Sequence, residues 1–316
     1  MSSEYSIIGG AGFIGSHITE ALLLDKKSVT VIDNFCSGTI GHLKNYLSNS
    51  SLRIMELNVE NTNKLCGAVK GSRVIIHLAS NPDIAKAINE PRIDFTQGTI
   101  LTESVAEAAR ISNVQKILYA SGSGVYGDAG QTLLNENFPL NPISTYGASK
   151  LASEALLSSY SYMFGIETVA FRFANVVGPK QTHGVAYDFI KRLLNDQTRL
   201  TVMGDGFQEK AYIHVSDIVS AVLSFSGKRL TYYDVYNVSN RDYLSVNSIA
   251  EIVFSVLGLK KHLVDIQYTG GAKGWKADVP VVRLDPTKIE QTGWVAKLTS
   301  AEAMWSAVRA MYEEFK

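Results

Sequence analysis

The stretch "GGAGFIGSH" spaces Gly9, Gly12 and Gly15 at three-residue intervals between an apolar run and a helical pattern. The run is Tyr5–Ile8, and the helix expected over 13–24 has Ile14, Ile18, Ala21 and Leu22 on one face. Glycines at these places let a chain turn tightly from strand into helix and let the two pack closely. Strand and helix then alternate. Strands are expected at 28–32, 52–57, 73–78, 115–120 and 167–173, with helices over 94–110 and 144–164. The run "RVIIHL" is apolar without alternation, as in a parallel strand covered on both faces. The expected fold class is α/β: a Rossmann-type doubly wound parallel sheet with a smaller C-terminal substrate-binding lobe.

The boundary is expected near 173. Residues 1–173 read as a nucleotide-binding domain and 174–316 mainly as the lobe, with a segment near 211–240 returning to the sheet. The rhythm breaks after Asn175, the loop over 268–278 carries Gly270, Gly271, Gly274 and Trp275, and a last helix is expected over 300–314. A chain of 316 residues holds one large or two modest domains. Lys plus Arg and Asp plus Glu number 30 each, so the formal charge is zero. That balance argues against nucleic acid or an anionic membrane as the main partner. Cys36 and Cys66 are too few for a disulfide framework and fit a reducing compartment. No apolar run is long enough to span a bilayer, no signal peptide is read, and a cytoplasmic protein is expected. No metal site is expected.

The glycine turn opens a helix, and a helix N-terminus presents unpaired N–H groups and a positive dipole end to a pyrophosphate. Asp33 ends the second strand, where a carboxylate accepts hydrogen bonds from an adenosine ribose and repels a 2′-phosphate. The pair favours NAD over NADP as cofactor. The plain alternative is a glycine-rich turn without a ligand. "STYGASK" places Tyr146 and Lys150 four residues apart, on one face of a helix. A free tyrosine titrates at about 10, and a neighbouring ammonium together with the positive charge of an oxidised nicotinamide would favour its phenolate. Tyr146 would then serve as a base toward an alcohol. The plain alternative is an amphipathic helix with a common spacing.

"GGAGFIGSH", "VIDNFCSG", "HLASNP", "VYGD", "PISTYGASK", "FRFANVVGP" and "YIHVSD" occur in an order that resembles the extended short-chain dehydrogenase/reductase family, its NAD-dependent nucleotide-sugar epimerases and dehydratases. "FANVVGP" and "THGVAYDFI" are most similar to the UDP-glucose (UDP-galactose) 4-epimerases. The resemblance implies that Phe13 and Ile14 lie over the pyrophosphate and that Asp33 and Asn34 hold the adenosine ribose. Phe35, Ser37 and Gly38 would line that pocket, Asn58 and Val59 would flank the adenine, and Leu78, Ala79 and Ser80 would line the middle of the cofactor. Tyr146 would be the base, Lys150 would bind the nicotinamide ribose, and Asn175 would contact a UDP-sugar. The implied reaction oxidises carbon 4 of the sugar, lets the 4-keto sugar turn in the pocket, and reduces it on the other face. Gly122, Gly124 and Ala174 would leave room for that turn. A homodimer through the helices near 94–110 and 144–164 is implied as well, with Ile100, Leu101, Val105, Leu156 and Leu157 either at that interface or in the core.

The chain departs from the family pattern in places. Asn58 stands for a usual Asp and Thr96 for a usual Asn. Lys210 stands for an Arg near the diphosphate, keeping the charge but losing the bidentate fork. Lys273 is a second candidate cation; the plain alternative for each lysine is a solvated surface residue. In "YASGSGVYG", Gly122 occupies the place of a catalytic Ser or Thr, which leaves Ser123, Ser121, a water, or Tyr146 alone to hold the carbon-4 oxygen; Ser123 is the candidate catalytic residue. The acid that dehydratases and decarboxylases carry just after that place is absent, since Ser123 and Gly124 stand there. The leading expectation is an NAD-dependent 4-epimerase (an isomerase) of UDP-glucose and UDP-galactose or their N-acetyl forms. The competing readings are a dehydrogenase of a sugar nucleotide or small alcohol, and a non-catalytic NAD-binding protein.

Overall fold

A computed structural model describes residues 3–274 and 278–316. Trp275, expected in the loop over 268–278, lies outside the described residues. The chain forms two compact units. The first holds the chain up to Val125 together with Pro142–Arg172 and Val219–Tyr236; the second holds Tyr126–Asn141, Phe173–Ile218 and Asn237–Lys316. Residues 126–141 thus belong to the second unit although they fall inside the span expected for the first.

The first unit is built on a seven-stranded sheet. Its strands are β1 (Tyr5–Ile8), β2 (Val29–Asp33), β3 (Leu52–Glu56), β4 (Val74–His77), β5 (Lys116–Gly122), β6 (Glu167–Phe173) and β7 (Tyr233–Val238). Their order is β3-β2-β1-β4-β5-β6-β7, and the pairs from β3 across to β5 are parallel. The order reverses between β1 and β4, and ligands of open α/β sheets bind beyond the strand ends at such a reversal. Its helices include α1 (Phe13–Leu24), α2 (Thr62–Val69), α3 (Leu101–Ile111) and α4 (Thr145–Phe164). Ile8, Ile32, Ile75, Ile117 and Tyr119 from the strands meet Leu65, Leu101, Val105 and Leu157 from α2, α3 and α4 in one core. Leu101, Val105 and Leu157 are therefore core residues, which removes them from the expected interface. Ile100 and Leu156 are half-buried.

Three local differences from the sequence reading have physical causes. The helix expected from 94 begins as a π-helical stretch, Phe95–Ile100, before α3. Gly98 sits where Ser149 of α4 comes so close that a Cβ would meet its hydroxyl, and a contact from a distant element is invisible to periodicity. β5 runs two residues past its expected end, through Ser121 to Gly122. The short helix α2 was not read because its sequence, TNKLCGAV, carries only a brief apolar pattern; Asn61 caps it by accepting from the Lys64 amide.

The second unit has its own core, where Phe189, Ile190 and Leu193 pack with Ile249, Val253, Met304 and Val308. These side chains come from helices Val185–Asn195, Val246–Leu257 and Ser300–Phe315. The last helix opens on a capping box between Thr299 and Glu302, which gives its start a clear sequence signature. Its short strands form a four-stranded sheet and two strand pairs. Among the described residues no helix is long and apolar enough to cross a membrane.

Candidate active site

Gly9 follows β1 with φ +80°, a conformation glycine adopts without strain. A Cβ there would lie 2.9 Å from the Ala79 amide nitrogen. The amides of Leu78 and Ala79 both donate to the Ile8 carbonyl, at 2.9 and 3.1 Å. The ends of β1 and β4 thus meet at Gly9, with Leu78, Ala79 and Ser80 leading away from the join. Gly12 is the N-cap of α1, and the first turn of α1 carries no acid. Without a side-chain acceptor at the cap, the early amides of α1 and its positive end stay available to an anion. Phe13 and Ile14 form that first turn. Gly15 packs against the turn itself: a Cβ there would lie 2.7 Å from Gly10 Cα and nearer still to the Gly9 carbonyl. Gly15→Ala is expected to cost about 1–3 kcal/mol of overpacking strain and to weaken NAD binding about tenfold or more, read by titration calorimetry. An unchanged affinity would remove the phosphate role of this turn.

Asp33 is buried at the end of β2. Its carboxylate accepts from the Ala11 and Phe35 amides, both at 2.9 Å, and four lone-pair sites leave room for ribose hydroxyls as well. Gly38 approaches so closely that a Cβ would sit 2.9 Å from an Asp33 oxygen. Asn34 accepts from the Cys36 amide, Phe35 has φ +56°, and Asn34 and Ser37 are exposed. After β3, Asn58 is exposed and exchanges hydrogen bonds with Glu60. Val59 is 5% exposed and belongs to the core, so only its backbone remains to flank an adenine. The uncapped helix start, the glycines that a Cβ would block, and the carboxylate at the strand end together fit a dinucleotide.

β5 leads into the second part of the site. Ser144 caps α4 by accepting from the Gly147 amide at 3.1 Å. A Cβ on Gly147 would lie 2.9 Å from the Gly124 carbonyl carbon, so α4 starts directly against the turn Ser123–Val125. Two glycines, one in "YASGSGVYG" and one in "STYGASK", make that contact possible. Gly122 is the last residue of β5, and among the described residues no atom lies within 4 Å of a Cβ built there. Ser121 is buried and donates to Glu154 Oε1 at 2.5 Å. That bond removes Ser121 from the candidates for a carbon-4 contact. Ser123 is half-buried at the start of the turn.

Tyr146 and Lys150 share a face of α4. The Lys150 ammonium lies 5.5 Å from the centre of the Tyr146 ring and 5.1 Å from that of Tyr119, and it donates to the Ala120 carbonyl at 2.7 Å. Burial pushes Lys150 down to about 8, against the opposing pull of Glu154 and Asp94. Burial pushes Tyr146 up to about 12; a hydrogen bond from Ser80 opposes the rise, and Asp94 adds to it. Between about pH 8 and 10 the unfolded chain, with Lys150 near about 10.4, binds more protons than the folded one. Stability should therefore rise with pH in that window. Lys150→Met should flatten this rise, measured as the urea midpoint across pH. An identical slope in the variant would assign it to other groups.

Three buried charged residues near Tyr146 and Lys150 are not marked by the sequence reading. Glu154 and Arg172 form a buried ion pair at 2.7 Å, and Glu154 lies one further four-residue step along α4 from Tyr146 and Lys150, a spacing that could have found it. Asp94 is 1% exposed. It accepts from the Asn81 amide at 2.8 Å and from the Thr145 hydroxyl at 2.6 Å. Nothing in the local sequence marks it.

The second unit holds the other candidates. Asn175 begins the strand Asn175–Val177, and its amide donates to the Ala211 carbonyl at 3.3 Å. Lys210, the candidate cation for a diphosphate, is bound to Asp278 at 2.7 Å. Lys273 is exposed and paired with Asp128 at 3.3 Å. Both lysines are therefore neutralised by carboxylates of their own unit.

Residues 5–239 match the NAD dependent epimerase/dehydratase family. The chain is 31% identical over 228 residues to the UDP-glucose 4-epimerase of Mycolicibacterium smegmatis, which covers 70% of this chain and 72% of that one. It resembles a crystal structure of a UDP-galactose 4-epimerase with a TM-score of 0.87 and 34% identity, over 99% of each chain. The Thermus thermophilus UDP-glucose 4-epimerase in complex with NAD is similar at a TM-score of 0.86 and 26% identity, over 97% of this chain and 98% of that one.

Proposed function

The chain belongs to the NAD dependent epimerase/dehydratase family, and we propose that within it the protein is a 4-epimerase interconverting UDP-glucose and UDP-galactose or their N-acetyl forms. Bound NAD+ supplies the hydride acceptor and donor. The turn at Gly9, Gly12 and Gly15 with Phe13 and Ile14 would hold its pyrophosphate, Asp33 its adenosine ribose, and Lys150 its nicotinamide ribose. Tyr146 takes the proton of the carbon-4 hydroxyl as that carbon is oxidised. It returns the proton when the carbon is reduced from the other face. The hydroxyl of Ser123 is a candidate contact for the same oxygen.

The observation that carries this reading is the end of β5. It brings the glycine-lined turn against the start of α4, beside Tyr146, and leaves open space at Gly122. A sugar that must turn over between two half-reactions needs such room. Gly122, Ser123 and Gly124 also provide no carboxyl group, which favours epimerisation over elimination of water. The second unit is proposed as the substrate-binding lobe, with Asn175, Lys210 and Lys273 as its contacts. Lys210 and Lys273 would exchange Asp278 and Asp128 for phosphate oxygens.

A homodimer is proposed through α3 and α4, whose ends carry the exposed Ile111, Tyr162, Met163 and Phe164; exposed apolar groups clustered in this way mark contact surfaces. Cys36 and Cys66 are free thiols, in keeping with the proposed cytoplasmic location. The test is conversion of UDP-galactose to UDP-glucose, read with a coupling dehydrogenase. Epimerisation without net NADH is expected. NADH accumulating without the coupling enzyme would instead identify a dehydrogenase. Tight NAD binding without turnover of any UDP-hexose would identify a binding protein.

A further inference from the structure

We propose that Asp94 is a positioning residue for Tyr146 and Lys150: from one buried place it fastens the residue before each of them and ties α4 to the loop after β4. Asp94 is 1% exposed. One carboxylate oxygen accepts from the Thr145 hydroxyl at 2.6 Å, and the backbone carbonyl accepts from the Ser149 hydroxyl, also at 2.6 Å. The other carboxylate oxygen accepts from the Asn81 amide at 2.8 Å.

Thr145 and Ser149 stand about one turn apart on α4. Two hydrogen bonds to a single residue therefore fix the rotation of that helix about its axis. Each next residue of a helix lies about 100° further round, so Tyr146 and Lys150 follow Thr145 and Ser149 as a rigid pair. The surroundings hold Asp94 in turn. It is the N-cap of the π-helical stretch Phe95–Ile100, and such stretches are frequent at functional sites. Thr99, from that stretch, donates to the Ser149 hydroxyl at 3.2 Å, and Gly98 leaves the space which that hydroxyl occupies. On the loop side, Asn81 donates to the Asp83 carbonyl at 2.8 Å and accepts from the Asp83 amide at 3.1 Å, which closes the loop after β4. Lys150 is held at its far end by the Ala120 carbonyl at 2.7 Å. A buried polar network whose members are satisfied is rigid, and misplacing a catalytic group by about 1 Å costs about 10²-fold in rate.

The inference takes Tyr146 as the acid/base residue and rests on the epimerase reading for its catalytic meaning. The test compares variants with the wild type in NAD-saturated protein. Thr145→Val combined with Ser149→Ala removes both fastenings of α4 and leaves Asp94 in place. Asp94→Asn keeps them, because its amide oxygen accepts from Asn81 and its amide nitrogen donates to the Thr145 hydroxyl. The double variant should lower kcat for UDP-galactose by about 10–10²-fold with KM near the wild-type value, and Asp94→Asn should lose far less. Should the double variant not fold, each single change is measured in its place. A readout free of turnover is the NMR signal of tyrosine labelled with carbon-13 at Cζ, with Tyr146 assigned by the loss of its signal in Tyr146→Phe. That signal should shift or broaden in the double variant and stay close to wild type in Asp94→Asn. With an active wild type, a native kcat in the double variant overturns the proposal, and so does a KM that rises as far as kcat falls. If the wild type turns over no UDP-hexose, the epimerase reading fails and the resonance alone decides. A moved signal then keeps Asp94 in its role, and an unmoved one overturns it.

Discussion

Tyr146→Phe should lower turnover of UDP-galactose by about 10²–10⁴-fold, the usual worth of a general acid–base group, while leaving NAD affinity near wild type. The reason is chemical. The substitution removes one hydroxyl and keeps the ring, so the packing of α4 against the turn Ser123–Val125 persists. Lys150 keeps its hydrogen bond to the Ala120 carbonyl and its place beside the ring. What disappears is the only proton carrier proposed for the carbon-4 hydroxyl. Steady-state rates with saturating UDP-galactose, alongside calorimetric NAD titration, give both halves of the expectation. A variant retaining more than a tenth of the wild-type rate would mean that another group carries the proton.

The second large effect concerns stability. Arg172→Leu should destabilise the protein by about 3–5 kcal/mol, as expected when one partner of a buried ion pair is removed. Arg172 and Glu154 are buried at 3% and 5% side-chain exposure, and Arg172 donates to Glu154 through Nε at 3.0 Å and Nη2 at 2.7 Å. In the variant the Glu154 carboxylate would keep, as hydrogen-bond partners among the described residues, the Ser121 hydroxyl at 2.5 Å and the more distant Tyr233 hydroxyl at 3.5 Å. Replacing both partners by leucine should recover much of the loss, because no buried charge is then left unpaired. Urea unfolding of the wild type, the single variant and the double variant measures this. Loss of activity should accompany the single change, since Ser121 precedes Gly122 at the end of β5. A single variant as stable as the double one would show that the carboxylate finds water or protonates at little cost.

The nucleotide-binding half was legible because its signals are local. Gly9, Gly12 and Gly15 declare a tight turn by their spacing, Asp33 stands directly at a strand end, and Tyr146 and Lys150 fall on one helix face by the four-residue rule. Each of these depends on neighbours within a few residues. The second unit was less legible. Its strands are short, as in Glu209–Lys210 and Leu244–Ser245, and strands of two residues have no alternation to read. The partners of two charges were illegible for a related reason. Lys210 and Lys273 announce cations in the sequence, but the carboxylates that neutralise them, Asp278 and Asp128, are brought close only by folding.

The sequence by itself determined the strand–helix alternation, the glycine turn and the identity of the residues on the face of α4. These follow from backbone sterics and helical geometry, which act between neighbours. Only the tertiary structure decided that Ser121 serves Glu154, that Arg172 pairs with that carboxylate, and that Asp94 joins Asn81 to Thr145. Those outcomes depend on which groups distant in sequence share one desolvated volume. Removal from water magnifies each charge and each hydrogen bond there.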